Sequence, residues 1–247
     1  GSGAMRILKE EEPYQIDMEV IFLKPWKSKA PVRFILSPNG TTTRVTWTMS
    51  GSLPFFMFWM KKMMSAYIGM DYTRGLLMLK DFVETGSVPS KLDFKGIHPY
   101  AGCNFVGIRS NCTIDTVGPS MEEDFTRLFQ WAGSYSDLSS GKAFSIYHKW
   151  DVVNDKVEYT VALPVNKPAT GLSAGFVAGS IPSIQVNTIA HAGPYRHLGN
   201  AWSAQYSMQR SKEYKYYKGI DPFETYIHMP GDVADKEIIT EVHFPVK

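Results

Sequence analysis

The strongest constraint on the fold is a repeated order of short patterns in residues 102–247. In each half a Gly-Pro pair precedes an apolar-periodic segment, then comes a short strand pattern ending in Tyr, and a β-branched run ends in Pro-Val. The segments are Gly118-Pro119, 144–147 and 157–165 in the first half, and Gly193-Pro194, 223–226 and 239–246 in the second. A recurring order is typical of an internal duplication. Two similar units related by a pseudo-two-fold axis leave a cleft between them, and small molecules bind in clefts.

Each half predicts the order strand, helix, strand, strand. In the unit 102–165, strands are expected near 105–109, 143–150 and 156–163, with a helix near 119–132. In the unit 183–247, strands are expected near 183–191, 223–228 and 237–244, with a helix near 195–209. The stretch between the units is rich in Gly, Ala, Pro and Ser, as linkers are. We therefore predict an α+β fold containing a duplicated β-α-β-β module with a pseudo-two-fold cleft.

The N-terminal residues 5–50 alternate apolar and polar side chains, which predicts antiparallel strands. The turn sequence Pro38-Asn39-Gly40 joins the last two strands as a β-hairpin. Two helical segments are expected next, at 54–68 and 71–86, with Asp71 as the N-cap of the second. Turn residues without sustained periodicity then fill 86–102. We place a boundary there, between a domain at 1–88 and a domain at 95–247.

Composition and charge argue against several classes of partner. The formal net charge is +2 and no basic run is longer than Lys61-Lys62, which predicts no direct nucleic-acid binding. The same two lysines interrupt the apolar stretch at 53–70, so we expect no membrane span. The cysteines and histidines lack metal-ligand spacing, and we expect neither a metal nor a cofactor. Two cysteines in 247 residues suit a reducing cytoplasm.

Several patterns of the second half together point to a known family. They are His191-Ala192-Gly193-Pro194-Tyr195, Trp202, Phe223-Glu224-Thr225-Tyr226 and the terminal stretch 240–245. This set resembles the GyrI-like effector-binding domain of AraC- and MerR-type multidrug regulators and of stand-alone proteins, over roughly residues 95–247. The resemblance implies small-molecule binding. In regulators the module is fused to a DNA-binding domain, but the helices at 54–86 lack a basic recognition face, so none is expected in this chain.

Residues 1–88 carry a second likeness. Its patterns are Thr46-Trp47-Thr48-Met49-Ser50-Gly51 and the helical stretch 69–84. They resemble the C-terminal part of a START-like, polyketide-cyclase-type (SRPBCC) helix-grip domain. Such domains normally begin with a strand, two short helices and further strands, which are absent from this sequence. The resemblance implies a hairpin plus helix of helix-grip type, and we assign it no ligand.

The final strand supplies the main candidate for the binding site. Alternation places Thr240, Val242 and Phe244 on one face and Glu241 and His243 on the other. The more apolar face is expected to pack under the helices, which turns Glu241 toward the cleft side. Thr160 occupies the corresponding position of the first unit, when Pro164 is aligned with Pro245. The cleft is therefore expected to carry a carboxylate on one side only.

The resemblance implies a pocket glutamate, and Glu241 occupies the matching position. Burial among aromatic rings would raise the pKa of that carboxyl, and ring faces would attract a cation. The expected walls are Tyr147, Tyr195, Trp202 and Tyr226, with Thr160 opposite Glu241. The alternative is that Glu241 is a solvated strand residue and that the aromatic residues belong to the core.

Three functions remain open from the sequence. The leading hypothesis is a cytoplasmic small-molecule-binding protein of the effector-binding type, whose ligand is largely apolar and either cationic or aromatic. The second, which the resemblance implies, is a hydrolase acting on a reactive toxin, with Glu241 directing water and Tyr226 or Tyr195 assisting; an enzyme is the less favoured hypothesis. The third is a protein-interaction module. The sequence leaves the oligomeric state open.

Overall fold

A computed structural model of the chain describes residues 2–24, 27–51, 55–133 and 141–247. The chain divides into two compact units, Gly1–Leu76 and Leu77–Lys247. Residues 77–85 belong to the second unit, where Asp81 pairs with His197 at 2.6 Å and with Arg196 at 2.9 Å.

The first unit contains a four-stranded antiparallel sheet in sequence order, β1-β2-β3-β4. Its strands are β1 (Ser2–Glu11), β2 (Gln15–Lys24), β3 (Ser28–Asn39) and β4 (Thr42–Met49). The expected hairpin is present as β3 and β4, which pair Asn39 with Thr42. Gly40 turns the chain at φ +64°, a left-handed conformation that glycine adopts without steric cost.

A single helix replaces the two helical segments expected after the sheet. A 3₁₀ turn, Phe55–Met60, leads into α1 (Lys61–Thr85), which runs without a break through Gly69 and Asp71. A helix-interior glycine costs only about 1 kcal/mol, which is too little to end a long helix. Asp71 is therefore not an N-cap; its carboxylate pairs with Arg74 at 2.9 Å, one turn away. Pro54, the first residue of the expected segment, lies outside the described residues.

The second unit is built on an eight-stranded sheet in the order β5-β10-β12-β11-β7-β8-β6-β9, in which every neighbouring pair is antiparallel. The first four strands along the chain are β5 (Lys91–Tyr100), β6 (Cys103–Cys112), β7 (Phe144–Asp151) and β8 (Lys156–Val165). The others are β9 (Val177–Ile181), β10 (Ile184–Ala192), β11 (Phe223–Tyr226) and β12 (Ile239–Val246). The α+β class with antiparallel sheets is confirmed.

Two helices cover one face of this sheet. Helix α2 (Val117–Ala132) packs on β6 and β8, where Leu128 contributes to a core with Tyr159 and Val161. Helix α3 (Gly199–Ser211) follows a 3₁₀ turn, Tyr195–His197, and packs on β10 and β12 through Ala201. Strands β7 and β11 pair at the centre of the sheet, between the strands that carry the two helices. They therefore form the floor of the space between the helices.

Among the described residues, no helix is both long and apolar enough to cross a membrane. Nowhere in the same ranges do three or more His, Cys, Asp or Glu side chains gather in a way that would hold a metal ion.

Candidate functional site

A buried carboxylate lies on the central strand pair, beneath the two helices. Glu224 of β11 stands directly opposite Ser145 of β7 in the strand register. Only 2% of Glu224 is exposed. Strand alternation puts Tyr226 on the same face, and Tyr226 pairs with Thr240 of β12. The carboxylate thus belongs to the helix-covered face of the sheet.

Three aromatic side chains donate hydrogen bonds to Glu224. The Tyr147 hydroxyl donates to Oε2 at 2.9 Å, and the Tyr226 hydroxyl lies 3.0 Å from the same oxygen. The indole N–H of Trp202, on helix α3, donates to Oε1. Strand β7, strand β11 and helix α3 therefore each contribute one donor, and the carboxylate is fixed from three directions.

Aromatic rings enclose this carboxylate. Tyr147 and Trp202 meet edge to face with centroids 5.1 Å apart, and Tyr195 meets Tyr226 in the same way at 5.9 Å. Phe125 of helix α2 packs on the other side of Tyr226 at 5.5 Å. Edge-to-face contacts of this kind add about 0.5–1.5 kcal/mol each to the area that the rings bury. We call Glu224, Tyr147, Tyr195, Trp202 and Tyr226 the Glu224 cluster.

Burial sets the acid–base properties of the cluster. It raises the pKa of Glu224 above its ordinary value, and the hydrogen bonds from Trp202, Tyr147 and Tyr226 only partly offset that effect. Burial also raises the pKa of Tyr147 and Tyr226 well above the usual phenol value, with the nearby Glu224 adding to it. The pKa of Tyr195 rises to about 12, again mainly through burial. The hydroxyls therefore remain donors at neutral pH, whereas the carboxyl can take up a proton or pair with a cation.

The structure brings four of the expected wall residues together, but around a different glutamate. Tyr147, Tyr195, Trp202 and Tyr226 all belong to the Glu224 cluster. The sequence patterns assign the carboxylate role to Glu241 and none to Glu224, which stands in the pattern Phe223-Glu224-Thr225-Tyr226. The signal was present: a glutamate two residues before a tyrosine lies on the same strand face as that tyrosine.

Glu241 and Thr160 lie away from the cluster, on the opposite face of the sheet. Glu241 pairs with Lys95 of β5 and keeps 17% of its side chain exposed. The buried Thr160 hydroxyl lies 2.7 Å from Nε2 of His148. Alternation predicted correctly that Glu241 and Val242 face opposite ways, and Val242 packs into the core beneath helix α3. The aromatic residues expected beside Glu241 converge instead on the face that the helices cover.

Comparisons with known proteins agree with this architecture. The family model of the GyrI-like small molecule binding domain matches residues 101–247. No curated protein matches the sequence. The chain is similar to EcmrR in a cryo-EM structure of its DNA complex (TM-score 0.52, 18% identity, covering 78% of this chain and 72% of that one). It is also similar to the EcmrR C-terminal domain in a crystal structure (TM-score 0.52, 21% identity, covering 64% and 98%). At these identities the two structures show a shared fold.

Proposed function

Because the chain belongs to the GyrI-like small molecule binding family, we propose that it is an effector-binding protein of the regulator type whose ligand site is the Glu224 cluster. The ligand would be a largely apolar, aromatic cation. The observation that supports this most strongly is a buried carboxylate whose three hydrogen-bond donors are all uncharged: two phenols and an indole. A buried charge without a counterion is costly, and a cationic ligand would supply the missing charge.

The aromatic residues of the cluster favour the same class of ligand. Tyr and Trp faces attract cations, by about 0.5–2 kcal/mol depending on how far the contact is desolvated. The same rings offer apolar surface to the remainder of the ligand. A neutral polar ligand would gain from neither property. We therefore propose that the site prefers aromatic cations to neutral polar molecules.

We also propose that the site lies on the axis of an internal duplication. Phe144-Ser145-Ile146-Tyr147 of β7 and Phe223-Glu224-Thr225-Tyr226 of β11 occupy the same place in the order strand, helix, strand, strand. Each tyrosine hydroxyl contacts the other strand of the central pair: Tyr147 donates to Glu224, and the Tyr226 hydroxyl lies 2.9 Å from that of Ser145. Ser145 and Glu224 are then the equivalent positions at which the two halves differ, and the cleft has its carboxylate on one side only.

Three further points remain predictions. Residues 1–88 are proposed to be a partial START-like helix-grip segment, an idea supported by Tyr72 of α1 stacking on Trp47 of β4 with centroids 3.9 Å apart. The second prediction is a cytoplasmic location, and the third is that the chain makes no direct contact with nucleic acid. Both are based on composition and charge.

Binding of tetraphenylphosphonium, an apolar aromatic monocation, tests the proposed site. Isothermal titration calorimetry would compare the wild-type protein with Glu224→Gln and with Glu241→Gln, a matched change on the neighbouring strand. We expect Glu224→Gln to weaken binding by about 1.5–3 kcal/mol, the range of a hydrogen bond to a charged group. Glu241→Gln should bind within about twofold of wild type, since a partly exposed ion pair on the other face contributes little.

A neutral probe of similar shape, triphenylphosphine oxide, completes this experiment. It should bind more weakly than the cation and should respond little to Glu224→Gln. If both variants bind the cation as wild type does, or if the neutral compound binds equally well, the Glu224 cluster is not a cation site.

A hydrolase remains the second candidate, because a carboxyl whose pKa is raised by burial can act as a general acid or base near neutral pH. In this version Glu224 takes the role that was expected of Glu241, with Tyr226 beside it at 3.0 Å. A turnover assay with strained-ring electrophiles as substrates distinguishes a hydrolase from a binding protein. A hydrolase loses turnover in Glu224→Gln, whereas a binding protein shows no turnover with either form.

A further inference from the structure

The 3₁₀ turn Phe55–Met60, in the first unit, presents four large aromatic side chains to solvent. The exposed fractions are 90% for Phe55, 74% for Phe56, 69% for Phe58 and 67% for Trp59. We call these four residues the aromatic patch. Single exposed apolar residues are common on protein surfaces, but a contiguous group of them marks a surface that contacts something other than water.

The geometry of the turn explains why the aromatic side chains are exposed. A 3₁₀ helix has three residues per turn, so side chains three positions apart lie on the same side of it. Met57 and Met60 form the half-buried side. Phe55 and Phe58 form a second row, with ring centroids 6.2 Å apart, and the other two aromatic residues are also three positions apart. The methionine row therefore faces inward and leaves both aromatic rows in solvent.

Two lysines follow the aromatic patch directly. Lys61 and Lys62 are the first helical residues of α1, and both are exposed. Residues 64–66, which lie one turn further along the helix, include no acidic side chain that could neutralise them. The first acidic residue after the lysines is Asp71, and it pairs with Arg74. The exposed aromatic surface is therefore continuous along the chain with exposed positive charge.

The surrounding sequence carries charge of the same sign. Residues 20–70 include seven basic side chains and no acidic one. The basic residues are Lys24, Lys27, Lys29, Arg33, Arg44, Lys61 and Lys62. Two of them pair with acidic residues that come earlier in the chain. Lys29 pairs with Glu19 at 3.4 Å. Arg33 pairs with Asp17 at 2.6 Å. Seven basic residues exceed these two pairs, so the stretch keeps an excess of positive charge.

We propose that the aromatic patch, together with Lys61 and Lys62, binds the surface of a bilayer that contains anionic lipids. Aromatic side chains favour the boundary between headgroups and acyl chains, and lysines beside them attract anionic headgroups. The two lysines interrupt 53–70 as a membrane span, but a segment that lies on a bilayer needs no such uninterrupted apolar stretch. A protein partner fits less well, because protein interfaces are depleted in lysine. This inference is independent of the proposed function.

Co-sedimentation with lipid vesicles tests the proposed surface. One set of vesicles is phosphatidylcholine alone, and the other is an equimolar mixture of phosphatidylcholine and phosphatidylglycerol. We expect the full chain to bind the mixed vesicles and the double variant Phe58→Ser/Trp59→Ser to bind them about tenfold more weakly or worse, because two rings no longer enter the bilayer. Lys61→Gln/Lys62→Gln should weaken the same binding by roughly ten- to thirtyfold. The control is Phe82→Ser, which changes a 57% exposed phenylalanine of α1 outside the patch and should bind as wild type does.

The substituted side chains are exposed, so the variants should keep the wild-type circular dichroism spectrum, and a loss of binding then reports on the surface itself. Equal binding of wild type and Phe58→Ser/Trp59→Ser would overturn the proposal, as would equal binding of wild type to neutral and mixed vesicles. It would also fail if the wild-type protein bound no vesicles. In that case, sedimentation velocity showing self-association that Phe58→Ser/Trp59→Ser abolishes would assign the patch to a second copy of the chain.

Discussion

Replacing Glu224 with Gln should change how the stability of the second unit depends on pH. Burial raises the pKa of Glu224 in the folded protein above the ordinary value of a glutamate side chain, 4.5. Between the unfolded and the folded pKa, the folded state therefore holds more protons than the unfolded chain. The stabilisation from the protonated carboxyl is fully present below about pH 4.5 and is lost as the pH rises through the folded pKa. Glutamine does not titrate, so the variant lacks this loss.

The size of this pH-dependent change in stability follows from the difference in pKa between the folded and unfolded states. Each tenfold increase in the proton affinity of the folded state corresponds to about 1.4 kcal/mol of stability lost by wild type on the alkaline side. Near pH 4 the protonated carboxyl and the amide have similar shape and charge, so the two proteins should differ by less than about 1 kcal/mol. At pH 8 the variant should be the more stable protein, because it avoids burying a charge without a counterion.

Urea unfolding at pH 4 and pH 8, followed by tryptophan fluorescence and circular dichroism, measures this effect. Glu241→Gln is the control, because it makes the same chemical change in a group that is partly exposed and paired with Lys95. That variant should lose at most about 1 kcal/mol. An equal difference in unfolding free energy between Glu224→Gln and wild type at both pH values would refute a raised pKa of Glu224. A variant less stable than wild type at pH 8 would refute it as well.

Three other substitutions test parts of the structure. Trp202→Phe removes the indole donor and should raise the pKa of Glu224 further, as a carboxyl-carbon NMR titration would show; an unchanged titration would contradict the hydrogen bond. Leu128→Ala leaves a cavity at a fully buried position on the inner face of α2 and should lower the free energy of unfolding, measured in urea, by about 2–5 kcal/mol. Gly193→Ala should lower the free energy of unfolding by more than about 1 kcal/mol, because φ is +143° and the new Cβ would lie 2.1 Å from a backbone oxygen. Gly133→Ala is the control: its φ is −61°, which alanine adopts without strain, so the protein should tolerate it.

Much of the architecture could be predicted because it depends on local periodicity. The alternation in β12 separates Glu241 from Val242, and the helical spacing of 119–132 closely matches α2. The motif around Gly193-Pro194 pointed to the GyrI-like family, and the family match confirms it for residues 101–247. The continuity of α1 was missed because a single glycine is a weak break once neighbouring turns are helical.

Strand β5 was missed for a related reason. Gly96, at φ +71°, interrupts its alternation, and β10 shifts register opposite it, between Thr188 and Ile189. The strand is held by pairing with β10, about ninety residues away in the chain (Gly96 with Thr188). The apolar–polar periodicity of a short segment does not show that the segment pairs with a strand so far away in the sequence.

The sequence by itself determined most of the strands and helices, though not β5, β9 or the continuity of α1, and it determined which residues of a predicted strand share a face. It also predicted Tyr147, Tyr195, Trp202 and Tyr226 as one set of aromatic residues, which the structure places together. Only the tertiary structure decided which carboxylate they surround. Glu224 and Glu241 both lie on strands of one sheet, and their environments differ because β11 pairs with β7 under two helices while Glu241 faces Lys95 on the other side. Burial is the sum of contacts between distant segments, and alternation along one strand fixes only its two faces, not which face the rest of the chain covers.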